Sequence, residues 1–261
     1  RESLSELTTA VAMSRCADKR ITRRIFADAG LRIPRGRLAT TDEADGDVSL
    51  SDDDAAVLSD VDEAVVKPAR GEQGRGITVG VTTPEELRSA IALARSFCQD
   101  VLLEECVEGE DLRVVVIDHH VVAAAVRRPA TVIGTGRHTV AQLIDAHSRR
   151  RAAATQGESA VPLDDTTIAT VHASGHSLED VLPEGEALQV RRTANLHTGG
   201  TIHDVTADLH PDLADAAVEA SRALDIPVTG IDMMVPTVDG PDYVLIEANE
   251  RPGLANHEPQ P

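Results

Sequence analysis

Residues 230–249, GIDMMVPTVDGPDYVLIEAN, decide the reading of this chain. Gly230–Val235 and Tyr243–Ala248 are apolar runs, and Asp239-Gly240 between them is a hairpin signal, which predicts two closing strands. Asp232 falls on the first; Glu247 and Asn249 fall on the second, two residues apart and so on one face. Two carboxylates and an amide oxygen on neighbouring strands are hard ligands of the kind Mg²⁺ takes, phosphates and water completing its shell. The plainer alternative is a solvated strand face. The flanking Ile231, Met233, Met234, Leu245, Ile246 and Ala248 argue against it, because an acid in so apolar a setting is costly unless it is paired or holds a metal.

Working upstream, Ala64–Pro68 reads as a short strand ending in Lys67-Pro68, followed by the glycine-rich turn RGEQGRG at 70–76. Gly71 and Gly76 have P-loop spacing, but Ile77 stands where a P-loop needs lysine. A turn with Gly71, Gly74 and Gly76 still lets backbone N–H groups approach phosphate oxygens, although a plain hairpin explains it as well. Ile77–Val79 is a second strand, Pro84–Cys98 a helix capped by Thr83, and Val101–Glu104 a third strand. That order describes a small α+β lobe. Lys67 gains weight from composition. Of 25 Lys and Arg residues only Lys19 and Lys67 are lysine, and a compact ammonium beside a glycine turn suits phosphate neutralisation. Glu104-Glu105-Cys106-Val107, with Gly109 after it, can offer backbone groups to an adenine; alone it reads as a charged strand end. The string 191–200, RRTANLHTGG, combines guanidinium groups, an Asn and a Gly-Gly turn, which suits an acyl phosphate or tetrahedral anion.

The remaining chain supplies scaffold. Residues 17–29 read as a helix stopped at Gly30, with an extended exit from Leu31 to Pro34. Residues 42–63 read as a solvated stretch with one short helix at Asp52–Leu58. Arg113–Ile117 and Val121–Val126 are apolar strands around Asp118-His119-His120. Residues 129–190 are less regular, with helices near Val140–Ser148 and Thr166–His172, and Pro211–Leu224 is a further helix. Aromatic residues number three (Phe26, Phe97, Tyr243), so the core must be aliphatic, and this scarcity argues against a base-stacking surface for single strands. A net charge of −19 repels phosphate polymers, which argues against nucleic acid. Three cysteines without a C-x-x-C pair argue against a disulfide framework. No apolar run reaches the roughly 20 residues that cross a membrane, and no signal peptide opens the chain, so a cytoplasmic protein is expected. Arg1 and Pro261 fall in mid-pattern, which leads us to expect a region of a longer protein.

In order, D-K with its helix, V-V-K-P with the glycine turn, L-L-E-E-C-V-E-G-E-D-L-R, R-R-T-A-N-L-H-T-G-G-T, G-I-D and I-E-A-N-E-R-P-G resemble the motifs of the ATP-grasp superfamily from about residue 15 onward. Within it, 127–139 and 195–206 resemble the ATP-grasp region of cyanophycin synthetases, and 247–261 resembles N-acetylglutaminylglutamine synthetases. The resemblance implies an α+β fold of two lobes, each with a mostly antiparallel sheet and helices, and ATP bound between them. It divides the chain into a helical lead-in (1–62), a small lobe with the flap (63–107) and a large lobe with the metal site (108–261).

It also implies roles. Lys19 and Lys67 contact nucleotide phosphates, and Gly71, Gly74 and Gly76 form the flap. Glu104 accepts from the adenine amino group, with Glu105 beside it, Val107 as the backbone hinge contact and Asp111 on the ribose. Asp232, Glu247 and Asn249 hold two Mg²⁺ ions. Arg192 and Asn195 lie near the reacting phosphoryl group, Arg251 and Gly253 offer backbone N–H groups to an oxyanion, and Arg113, Arg127 and Arg128 take substrate carboxylates. The implied activity is ADP-forming ligation of a carboxylate to an amine, with amino acids or dipeptides as substrates. A glutamine dipeptide, a cyanophycin-type addition of Asp or Arg, and a non-catalytic ATP-binding module remain open, as does a homo-oligomer. A preceding acetyltransferase domain is expected if the glutamine reading holds.

Overall fold

The computed structural model describes residues 5–44, 47–71, 74–155, 157 and 159–252. The chain divides into two compact units: Arg1–Val126 with Asp204–Pro261, and Arg127–His203.

The first unit opens with two helices where one was expected, α1 (Ala10–Ala17) and α2 (Lys19–Asp28). Asp18 makes the break. Its backbone is extended (φ −117°, ψ 106°), and its carboxylate accepts from Arg20 N, so the residue that ends α1 caps α2. Gly30, at φ +74°, supplies the stop after α2. β1 (Gly36–Leu38) follows, then a hairpin of β2 (Thr41–Ala44) and β3 (Asp47–Leu50) inside the stretch read as solvated, then α3 (Asp52–Asp60). That hairpin was illegible because its Asp-rich strands carry no apolar alternation.

β4 (Ala64–Pro68), β5 (Thr78–Val81), α4 (Pro84–Arg95) and β6 (Val101–Glu105) follow much as expected, α4 opening on a capping box between Thr83 and Glu86. The sheet order is β1-β6-β4-β5, antiparallel throughout. Ala64, Val66, Val101 and Leu103 turn one face of it onto Leu87, Ala90, Ile91 and Ala94 of α4. By strand alternation the other face carries Lys67 and Glu104.

A second sheet holds β8 (His120–Arg128), β7 (Glu110–Ile117), β12 (Val228–Val235) and β13 (Val244–Asn249) in that spatial order. Asp118 and His119 both take positive φ (50° and 58°) in the two-residue turn from β7 to β8, matching the twist a tight hairpin needs. Alternate residues Leu112, Val114, Val116, Ile231 and Met233 are fully buried with Leu213, Ala217, Ala220 and Leu224 of α7 (Pro211–Leu224). Each fully buried Leu or Val there contributes roughly 1.5–3 kcal/mol. Phe26 is the one fully buried aromatic in this core.

The second unit, reached within β8, packs its own core. β9 (Thr131–Ile133) pairs antiparallel with β10 (Ala187–Gln189), flanked by α5 (Val140–Ala154) and α6 (Asp165–Ala173). Val132, Val140, Ile144, Val171, Leu188 and Val190 are buried together. α5 runs six residues past its expected end, an Asp145–Arg149 pair at i,i+4 helping to carry it through the arginines. The chain leaves the unit within β11 (Thr201–Asp204). No helix among the described residues is long and apolar enough to cross a membrane.

Candidate active site

Lys19 opens α2, and three elements converge on it. Its backbone N–H donates to Ala69 O at 2.9 Å, its Nζ donates to Gly71 O at 3.0 Å, and Nζ lies 3.6 Å from Glu247 Oε2. The lysine is 8% exposed. Asp18 secures the helix start: both its oxygens accept from Arg20, at 2.9 and 2.6 Å, and Oδ2 accepts from Arg70 Nε at 3.1 Å. Those donors, Arg20 foremost, pull the Asp18 carboxyl down to about 2. Gly71, Gly74 and Gly76 all hold positive φ, a backbone conformation that glycine takes without the strain of a Cβ. Gly76 also leaves room for a ring: a Cβ there would stand 2.6 Å from Phe97 Cδ2, and Arg75 stacks over the same ring at 5.5 Å.

Lys67 and Glu104 meet on the face of the small sheet turned away from α4. In the β4–β6 register Lys67 faces Leu102 and Val65 faces Glu104, so the two polar residues are diagonal neighbours. Lys67 Nζ lies 2.5 Å from Glu104 Oε2, and Arg23 Nη1 of α2 lies 2.5 Å from Oε1. The three side chains are 4%, 3% and 13% exposed, giving a buried triad with one surplus positive charge. Arg23 was missed from the sequence, where it was one arginine among several. The usable signal was its i,i+4 spacing from Lys19, which sets both on one helix face.

Glu105 points to the opposite side of β6, where Arg35 takes it through N (2.7 Å) and Nε (2.6 Å), so it does not join Lys67 and Glu104. Val107 is half-buried in the link to β7. Gly109 permits that link: a Cβ at its φ of +141° would meet Val235 O at 2.4 Å.

The second sheet gathers the remaining first-unit candidates. Asp111 opposes Met234, Arg113 opposes Asp232, Asp232 opposes Glu247 and Gly230 opposes Asn249, which sets Asp111, Arg113, Asp232, Glu247 and Asn249 on one face. A β-bulge between Asp232 and Met233 makes this work. The register passes from Asp232↔Glu247 to Met233↔Leu245, leaving Ile246 extra. Leu245 therefore enters the core at 1% exposure while Glu247 stays on the site face.

Arg113 forks onto Asp232 at 2.7 and 2.8 Å, and Asn249 Nδ2 donates to Asp232 Oδ2 at 3.2 Å. The burial of Asp232, 3% exposed, is thus explained by pairing. Arg113, expected on a substrate carboxylate, spends its fork here. No group of three or more His, Cys, Asp or Glu forms a metal cluster among the described residues. The donor set is two carboxylates and an amide sharing one face, and its hard oxygens fit Mg²⁺. Cys16 of α1 is buried in the first-unit core, its thiol pushed up to about 12 by burial and then by Glu250 and Glu247. Arg251 follows β13, its Nε 3.7 Å from Glu250 Oε1. Gly253 lies outside the described residues.

In the second unit, Arg127 and Arg128 end β8, and Arg192 is exposed beside Arg191. Arg191 is structural, donating to Asp164 Oδ1 at 2.6 Å and Thr167 Oγ1 at 3.1 Å. Asn195 caps a single turn, Leu196–Thr198, by accepting from His197 N at 2.9 Å. The Gly-Gly turn serves packing: a Cβ on Gly200 would stand 2.8 Å from Asn195 O and 2.9 Å from Arg128 O.

Residues 51–161 match the family described as D-ala D-ala ligase C-terminus. A cyanophycin synthetase from Nostoc sp. is 32% identical over 98% of this chain, which spans 28% of that relative's length. The crystal structure of a bifunctional glutathione synthetase from Pasteurella multocida is similar at TM-score 0.59 and 24% identity, over 95% of this chain and 34% of its own. The D-alanine–D-alanine ligase from Bacillus anthracis complexed with ATP is similar at TM-score 0.54 and 18% identity, over 95% of this chain and 59% of its own. The fold is the α+β ATP-grasp fold. Over nearly its whole length the chain is similar to a region of cyanophycin synthetases, and it carries the fold of the ATP-grasp ligases.

Proposed function

We propose that this chain is the ATP-grasp region of a Mg-ATP-dependent ligase that joins a carboxylate to an amine through an acyl phosphate, releasing ADP. Both lysines of the chain are buried against carboxylates, Lys19 on Glu247 and Lys67 on Glu104, and that observation carries the reading. An ammonium has three N–H donors, and among the described residues Lys67 meets one acceptor. Together with the surplus charge of its triad this prepares a place for an anion, which we take to be nucleotide phosphate. Glu104 accepts from the adenine amino group, Val107 offers its backbone, Asp111 holds the ribose, and the turn at Gly71–Gly76 covers the phosphates. Asp232, Glu247 and Asn249 would hold two Mg²⁺ ions, whose charge offsets that developing on the transferring phosphoryl oxygens.

In the first step a carboxylate oxygen bonds to the γ-phosphorus and the bond to ADP breaks. In the second the amine bonds to the acyl carbon, loses a proton, and inorganic phosphate leaves. Lys19 and Lys67 neutralise phosphate charge, and the flap excludes water that would hydrolyse the intermediate. Arg192 and Asn195 are proposed near the phosphoryl group, Arg251 and Gly253 at the oxyanion, Arg127 and Arg128 on substrate carboxylates. We take 1–62 as the lead-in, 63–107 as the small lobe and 108–261 as the large lobe.

The substrate pair we favour forms a glutamine dipeptide, supported by the ending E-A-N-E-R-P-G. The preceding acetyltransferase domain and the cytoplasmic setting belong to the same proposal. A cyanophycin-type addition of Asp or Arg is the second reading, favoured by the 32% identity across nearly the whole chain. ADP and phosphate release, measured with ATP, Mg²⁺ and panels of amino acids and dipeptides, separates them. Amine-dependent release with glutamine supports the first, release with Asp or Arg supports the second, and nucleotide binding without turnover on any pair leaves a non-catalytic module.

A further inference from the structure

We infer that Arg23 is a positioning residue that lets Lys67 exchange Glu104 for a nucleotide phosphate; the inference rests on the ATP-binding reading above. The two oxygens of Glu104 go to different cations, Oε1 to Arg23 Nη1 and Oε2 to Lys67 Nζ, each at 2.5 Å. All three side chains are largely shut off from water. If Lys67 turns to a phosphate, Glu104 loses the cation on Oε2. A buried carboxylate with no counter-ion is strongly unfavourable, so with Lys67 alone the lysine would be held on Glu104 and phosphate would have to compete for it.

Arg23 removes that competition. Its second amine, Nη2, donates to Pro34 O at 2.9 Å, so the guanidinium is fastened on both sides and does not follow Lys67. A guanidinium also stays protonated whatever its surroundings. Glu104 therefore keeps a counter-ion and its orientation after the exchange, and Oε2 is released to accept an N–H from the adenine amino group. One helix carries both parts, Lys19 and Arg23 standing four residues apart on α2. The competing explanation is that Arg23 only ties α2 to β6. Removing a mere tie lowers stability and leaves the nucleotide affinity of folded molecules unchanged.

The test measures the ATP dissociation constant by titration calorimetry in Mg²⁺ buffer, with melting temperatures alongside, for the full chain and its R23Q, R23K, E104Q and R23Q/E104Q variants. We expect R23Q to weaken ATP binding about tenfold or more and R23K to stay within about threefold, since it keeps the charge. In the E104Q background R23Q should change affinity by less than about threefold, because Lys67 has no carboxylate to leave. Wild-type affinity in R23Q with only a lower melting temperature overturns the role. So does an equal loss in both backgrounds, or an R23K loss as large as that of R23Q. Should R23Q fail to fold, R23Q/E104Q keeps the wild-type net charge of the triad, and a tenfold difference between it and E104Q overturns the role. A wild-type chain that binds no ATP overturns the ATP-binding reading itself, whereas wild-type binding with an indifferent R23Q overturns Arg23 alone.

Discussion

Lys19 Nζ stands 3.6 Å from Glu247 Oε2 while donating to the carbonyl of Gly71 at 3.0 Å, so one ammonium joins the glycine turn to the last strand of the second sheet. A cation so placed answers both to a carboxylate that would hold metal and to a turn that would close over phosphate. Substituting Glu247→Gln tests the carboxylate. Turnover should fall by about 100-fold or more, with stability within about 1 kcal/mol of wild type because the pair is loose and the glutamate is 31% exposed. ADP release and a urea midpoint read the two effects, and full activity in the variant would sink the metal assignment.

Lys67→Met separates function from stability at the buried triad. Arg23 remains on Glu104, so the loss of stability should be about 1–2 kcal/mol rather than the 3–5 kcal/mol of a buried ion left without any partner. ATP-dependent turnover should nevertheless drop by about 100-fold. A larger loss of stability in urea would show that Arg23 does not neutralise the carboxylate by itself.

Asp18 predicts an acid limb. Its folded carboxyl titrates at about 2, below its ordinary 3.8, with Arg20 the main cause. Because the folded value is depressed, the stabilisation is complete above pH 5 and is lost as pH falls from about 4 toward 2. Asp18→Asn keeps a capping oxygen but removes the charge, so it should cost about 2 kcal/mol at pH 7 and almost nothing near pH 2. Urea unfolding at both pH values checks this; an equal cost at each would contradict it.

At Gly76 two costs overlap. The φ of +73° disfavours any side chain, and a Cβ meets the Phe97 ring at 2.6 Å. Gly76→Ala should destabilise by about 1–2 kcal/mol from the backbone alone. Phe97, 46% exposed, can shift, so adding Phe97→Ala should recover only part of the loss. Full recovery in thermal melts would mean the ring contact, not the backbone, sets the cost.

The bulge at Ile246 is open to a deletion test. Ile246→Ala should be mild, about 1 kcal/mol, and deleting residue 246 should leave a soluble, active protein, because Leu245 and Glu247 then follow one another in a regular ladder opposite Met233 and Asp232 and keep their faces. An insoluble or inactive deletion variant would show that the site needs the bulge itself and not only this pairing of Leu245 and Glu247.

How much of this was legible can be followed along β12 and β13. Both strands, their hairpin and the shared face of Asp232, Glu247 and Asn249 follow from local pattern, because alternation and turn chemistry are properties of neighbours in sequence. The two scarce lysines and the glycine turn were legible for the same kind of reason, and the order of motifs pointed to the fold. The bulge was not, since strict alternation would have sent Leu245 to the face of Glu247. Nor was the break at Asp18, the β2–β3 hairpin, or the side chain of Glu105 turning away to Arg35. Residue types and periodicity thus determined the elements, the polar face and the anion-seeking character of the site. Only the tertiary structure decided which charges neutralise which. Arg113 lies on Asp232, and Arg23 and Lys67 share Glu104. Pairings between residues 81 and 119 positions apart are chosen by which strands and helices become neighbours and by the cost of leaving a buried charge unpaired, and neither quantity is written in any local stretch of the chain.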